Sequence, residues 1–107
     1  MSKISNANSR IVGTNENGSF SMNVDECFRL PSGRVVMTGK VTEGRIWPNN
    51  GLTININGAS TTLNDNVEAI EKNKRRLVVA NVGDEIAISL TKSRFHDIAK
   101  HFPASSN

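Results

Sequence analysis

A chain of 107 residues with 36% apolar content and a formal net charge of +3 has the length of one domain and can bury one core without covalent staples. Its single cysteine, Cys27, excludes an internal disulfide, and no apolar window approaches the length of a membrane span. A pI near 9.4 is compatible with nucleic acid but is weak as a pointer to it, since 10 acidic residues oppose 13 basic ones.

In chain order, residues 1–19 are dominated by Ser, Asn, Gly and charge, broken by Ile4, Ala7, Ile11 and Val12. So little apolar surface offers little to offset ordering entropy, and the expectation is a flexible polar leader with order starting near Phe20. Met1-Ser2-Lys3 does not lead into a signal-peptide apolar stretch, and with the lone cysteine this predicts a cytoplasmic protein. Asn17-Gly18-Ser19 matches a glycosylation acceptor in form only.

From Phe20 the apolar period is two. Phe20, Met22, Val24, Phe28 and Leu30 read as one side of an extended segment, interrupted at Glu26 and ended by Pro31-Ser32-Gly33. Val35, Met37 and Val41 line one face of the next strand, where Gly39 permits close backbone approach. Thr42-Glu43-Gly44-Arg45 and Pro48-Asn49-Asn50-Gly51 are turns. Leu52, Ile54 and Ile56 then alternate with polar residues up to Asn57-Gly58, the preferred pair for a two-residue type I′ hairpin. That turn predicts Ile54 opposite Thr61 and Leu52 opposite Leu63. Val67 to Glu71 reads as another strand, Leu77-Val78-Val79 is β-prone, and Val82-Gly83-Asp84 turns into a final strand carrying Ile86, Ile88 and Leu90. Phe95, Ile98, Ala99 and Phe102 recur at helical spacing behind Ser93, a candidate N-cap, and Pro103 ends the run.

These signals predict an all-β domain over residues 20–102, a closed barrel or a sandwich of six or seven short strands ending in a short helix, with residues 103–107 as a tail.

The chemistry-bearing residues are sparse. Gly33 to Gly39-Lys40 has one residue too many for a phosphate-binding loop, and Gly13 to Gly18-Ser19 lacks the lysine. His96 and His101 lie roughly 140° apart around a helix and do not chelate together. Asp25 and Glu26, adjacent in a strand, should face opposite ways, so they are no acid–base pair. No Gly-x-Ser-x-Gly turn is present. The expectation is a protein without catalytic residues, metal or cofactor. Trp47 beside Pro48 is either a stacking platform for a base or a cover for one end of the barrel. Lys72, Lys74, Arg75 and Arg76 form a basic cluster that reads either as a solvated loop or as a contact for phosphate.

Four segments, taken in order, add a resemblance. They are Phe20 to Phe28 with its acids before a phenylalanine, Thr38-Gly39-Lys40-Val41-Thr42-Glu43-Gly44-Arg45-Ile46, Ala69-Ile70-Glu71, and Val82-Gly83-Asp84-Glu85-Ile86. Together they resemble the second-domain β-barrel of translational GTPases, the elongation factor Tu type, from Phe20 to about Ile98. The resemblance implies, of the two architectures, a closed antiparallel six- to seven-stranded Greek-key barrel with a short C-terminal helix, a binding barrel that holds RNA ends and neighbouring domains and does no chemistry. It places Asp25, Glu26 and Phe28 at the pocket for the aminoacyl group and Glu71 against the terminal adenosine of a tRNA. The family's Gly-Arg-Gly before the second strand is replaced by Ser32-Gly33-Arg34, which shifts the arginine by one residue and so reverses its face. The partner expected is RNA or a component of the translation apparatus, met through Arg34, Glu71, Lys72, Lys74, Arg75 and Arg76. The alternative is a protein-interaction or regulatory module of inhibitor or immunity type reusing the barrel. Self-association through the face that packs on a GTPase domain in the family is a further expectation; a membrane partner is not.

Overall fold

The computed structural model describes residues 3–15, 18–55 and 62–99. Among them lie β1 (Lys3–Asn15), β2 (Gly18–Arg29), β3 (Arg34–Glu43), β4 (Arg45–Ile46), β5 (Gly51–Asn55), β6 (Thr62–Lys72), β7 (Arg75–Leu77), β8 (Ala80–Asn81), β9 (Glu85–Arg94) and α1 (Phe95–Ala99). Six strands, in the order β1-β2-β3-β9-β6-β5, close into an antiparallel barrel, because β5 pairs with both β6 and β1. The strand β7 is added on β6, and β4 with β8 makes a separate two-stranded ribbon. No helix among the described residues is long and apolar enough to cross a membrane.

The period-two residues fill the interior. Phe20, Met22, Met37, Ile54, Ile70, Ile88 and Leu90 are fully buried, and Ile46 from the ribbon joins them. Truncating one such Ile to Ala costs about 2–5 kcal/mol, so a few of them decide whether the barrel folds. Below them α1 buries Phe95 and Ile98. A five-residue helix has no stability of its own. It is held by this burial and by the Phe95 N–H donating to the Gly33 carbonyl at 2.9 Å.

Several expectations are corrected. Residues 3–15 of the expected leader are β1, paired with β2 along one side and with β5 along the other, and Ile11 is fully buried. Counting apolar side chains misses this because the segment's stabilisation is largely backbone pairing. Without β1, strands β2 and β5 would leave their N–H and C=O groups on raw edges. The folded domain therefore starts well before Phe20.

The β5–β6 register is two residues away from the expected one, with Ile54 opposite Leu63 and Leu52 opposite Asp65. An even shift keeps every side chain on its face, so the core tolerates it. The turn at Asn57-Gly58 lies outside the described residues. β6 also runs unbroken to Lys72 through Asn64-Asp65-Asn66, absorbing the separate strand expected at Val67.

In β2 a bulge falls at Asp25, since Val24 pairs with Gly39 and Glu26 with Thr38. The bulge turns Cys27 inward beside Met37 and puts Phe28 on the outer face opposite Val36. Asp25 and Glu26 therefore do not straddle the sheet; neither points into the core. A Cβ on Gly39 would collide with the Asn23 carbonyl oxygen, which is the close approach expected there.

Ser93 is not a helix cap. It belongs to β9, and its N–H donates to the Asp65 carboxylate at 2.6 Å. The helix described ends at Ala99; Phe102 and Pro103 lie outside the described residues.

Candidate functional site

Opposed residues of antiparallel strands share a face, so the registers fix the outer surface of the barrel row by row. One row runs Phe28, Val36, Ser89, Ala69 and the next runs Glu26, Thr38, Ala87, Glu71, Arg76. With strands about 4.8 Å apart, the second row crosses five strands and spans about 19 Å. Its middle is low, because β9 sends Ile86, Ile88 and Leu90 inward and leaves small Ala87 and Ser89 outside, with Ala69 beside them.

The result is a groove along β9 made of two open depressions. One, of about 400 Å³, is lined by Asp25, Thr38, Glu71, Lys72, Lys74 and Glu85 among others. The second, of about 350 Å³, is lined by Leu30, Val36, Glu68, Ala69, Glu71, Arg76, Ala87 and Ser89. Glu71 and Ala87 belong to both, so the two are continuous and Glu71 stands at the junction.

The basic cluster is a hairpin rather than an irregular loop. Lys72 pairs with Arg75, and the two residues between them, Asn73 and Lys74, both have positive φ (53° and 67°), as a type I′ turn requires. This places Lys74 over the first depression.

Its charges are partly committed. Lys72 Nζ is 2.9 Å from Asp84 Oδ1. The Asp84 carboxyl lies below its ordinary range because the Asn81 N–H donates to it and the Lys72 ammonium bonds to it. Arg76 Nε is 3.8 Å from Glu71 Oε2, too far for a hydrogen bond, and both side chains are well exposed. At the far end Arg34 Nη1 meets Glu68 Oε2 at 2.7 Å.

Of the residues expected from the sequence, Asp25, Glu71, Lys72, Lys74 and Arg76 line the groove. Glu26 and Phe28 share its face but line neither depression. Arg34 reaches the groove only through Glu68, and Arg75 lines no part of it. Trp47 is half-buried in the β4–β5 turn, where its backbone N–H donates to Asn50 Oδ1 at 2.7 Å; its indole Nε1 is enclosed with no hydrogen-bond partner among the described residues, and it too lies outside the lining.

The floor residues Ala69, Ala87 and Ser89, and the wall residue Glu68, were missed. Reading the outward phase of β9 shows the small residues; nothing short of the cross-strand register shows that they adjoin.

Chemically, a central carboxylate can accept hydrogen bonds from ligand hydroxyl or amino groups. The small floor admits a flat ring or an extended chain, and the cations along one rim suit anionic groups. No cluster of three or more His, Cys, Asp or Glu that could hold a metal ion occurs among the described residues. No known family matches this sequence, and no curated protein sequence matches it either.

Proposed function

We propose that the chain is a non-catalytic binding module that takes single-stranded RNA along the β9 groove, with the translation apparatus as the source of that RNA. The observation carrying this reading is the convergence of Glu71, Lys72, Lys74 and Arg76 on one groove floored by Ala69, Ala87 and Ser89. A carboxylate beside a ring-sized floor is suited to a ribose 2′-hydroxyl, and flanking cations to phosphate. The motif resemblance to translation-factor second domains supports the same reading, and a cytoplasmic setting goes with it.

A ¹⁵N-labelled sample titrated with a short single-stranded RNA tests it. The amides of Ala69, Glu71, Ala87 and Ser89 are expected to shift, DNA of the same sequence should bind more weakly, and Glu71→Gln should erase that preference while keeping salt dependence. Equal binding of RNA and DNA by the wild type, or shifts confined to other faces, would refute it. A second reading, a protein-interaction module, is favoured by one separate observation: Val78, which directly follows the edge strand β7, is exposed.

A further inference from the structure

The strand β7 is the last of its sheet. One side pairs with β6, and among the described residues no strand pairs with the other. In a two-residue hairpin the flanking pair, here Lys72 and Arg75, exchanges both backbone hydrogen bonds. The ladder's alternation then turns the N–H and C=O of Arg76 to the open side. Beyond Leu77 the chain leaves β6, and Val78 is 77% exposed. Val82, in the turn before β9, is 60% exposed. These are the large apolar side chains left in solvent among the described residues, and both lie downstream of the same edge.

The charge there is mainly basic. Lys74, Arg75 and Arg76 are consecutive, and neither Lys74 nor Arg75 forms an ion pair with a described residue, whereas Lys72 is matched by Asp84 and Arg76 lies 3.8 Å from Glu71 with both side chains well exposed. Arg75 and Arg76 project from opposite faces of the strand. A segment lying alongside would therefore meet a cation on each face.

We propose that the open edge of β7 is a docking surface for an extended acidic segment of a partner protein, which adds a strand along Arg75–Val79. Carboxylates at neighbouring positions of that segment meet Arg75 and Arg76 as cross-strand pairs of opposite charge, and an apolar residue further along covers Val78. Five residues of edge correspond to about 17 Å of extended chain. A second copy of this chain does not fit, because antiparallel β7–β7 pairing would bring the arginines of the two copies together. Nucleic acid would use the arginines but leave both the main-chain edge and the valine without a role. The inference shares its arginines with the RNA reading of the β9 groove but rests on the open main-chain edge and on Val78, which that reading does not use.

The probe is a blocked octapeptide, Thr-Val-Thr-Glu-Glu-Thr-Val-Thr, whose adjacent glutamates face opposite sides of the strand and one of whose valines falls opposite Val78, titrated into ¹⁵N-labelled full-length protein. The same peptide N-methylated at every backbone nitrogen, and a single-stranded RNA of equal charge, are run in parallel. The expected result is shifts at Arg75, Arg76, Leu77 and Val78, slowed exchange of the Arg76 amide, and affinity for the N-methylated peptide lower by about tenfold or more. The double variant Arg75→Glu, Arg76→Glu should lose a similar factor, and Val78→Ser a smaller one. If the charge reversal disturbs the fold, the N-methyl comparison on wild-type protein decides alone. Absence of peptide binding, equal affinity for the N-methylated peptide, shifts centred on β9, or an RNA that slows exchange of the Arg76 amide as much as the peptide does would each overturn the proposal.

Discussion

Replacing Asp65 by Asn separates the barrel's closure from its hydrophobic core. Asp65 is 3% exposed and sits in β6 opposite Leu52. Its Oδ1 accepts the N–H groups of Asn66 at 2.6 Å and Lys92 at 2.8 Å, and its Oδ2 accepts that of Ser93 at 2.6 Å. Burial opposes ionisation, but bonds from the Ser93 hydroxyl and from the Asn66, Lys92 and Ser93 N–H groups outweigh it and hold the carboxyl below its ordinary 3.8. Asparagine keeps the shape but offers one accepting oxygen. At best the two Oδ1 bonds survive at neutral strength while the Ser93 N–H faces an amide NH₂. Hydrogen bonds to a charged group contribute roughly 1.5–3 kcal/mol each, and losing one while weakening two costs about 3 kcal/mol. For a domain of this size that is a fall in Tm on the order of 10–20 °C.

Urea unfolding followed by the fluorescence of Trp47, the single tryptophan, measures it directly. Because the folded carboxyl titrates below its unfolded value, its stabilisation is complete above pH 3.8 and is lost as pH falls through the lower folded value. The gap between wild type and Asp65→Asn should therefore be widest near neutrality and close in strong acid. A loss under about 1 kcal/mol at neutral pH, or a gap indifferent to acid, would refute the assignment of Asp65 as the tie between β6 and β9.

Three further outcomes follow from the same geometry. Gly39→Ala should cost about 3 kcal/mol in equilibrium unfolding, since the new Cβ meets the Asn23 carbonyl rather than a yielding side chain; a neutral result would place the bulge elsewhere. Lys74→Gly should stabilise by about 0.5 kcal/mol, because a left-handed lysine costs roughly 1 kcal/mol and glycine returns part of that as unfolded-state freedom. A destabilised variant would contradict the type I′ turn. Cys27 is buried, and burial pushes its thiol up to about 12, so thiol reagents at mildly alkaline pH should label it only at the rate of unfolding. Fast labelling of the folded protein would contradict its place in the core.

The sequence discloses those parts of this barrel whose cause is local. Ile86, Ile88 and Leu90 alternate because β9 has one inner face, and Val82-Gly83-Asp84 turns because Gly83 takes φ 94°. Long-range causes stay hidden. β1 reads as a leader because its pairing with β2 and β5, which the segment's own composition does not announce, is what orders it. Asp65 ties β6 to β9 through donors 27 and 28 residues away at Lys92 and Ser93, and the β5–β6 register, two residues from the one Asn57-Gly58 predicts, is likewise set beyond the turn's own residues. The bulge at Asp25 carries no signature in Asp-Glu-Cys, yet it moves Phe28 to the outside. The candidate site divides the same way. Its cations stand out as a run, whereas the floor of Ala69, Ala87 and Ser89 becomes a feature only once three strands are in register.

The central proposal, RNA along the β9 groove with its phosphates on the β6–β7 hairpin, is tested most directly by the salt dependence of binding to a fluorescent single-stranded RNA. Each neutralised phosphate adds roughly 0.7 to the slope of log affinity against log salt, so three or four contacts give a slope of about −2 to −3. Lys74→Ala, Arg75→Ala, Arg76→Ala together should remove most of that slope and leave the unfolding midpoint nearly unchanged, since these exposed side chains contribute little to stability. A wild-type protein that binds no single-stranded or tRNA-like probe at low ionic strength, or a triple variant that keeps the full slope, would contradict the proposal.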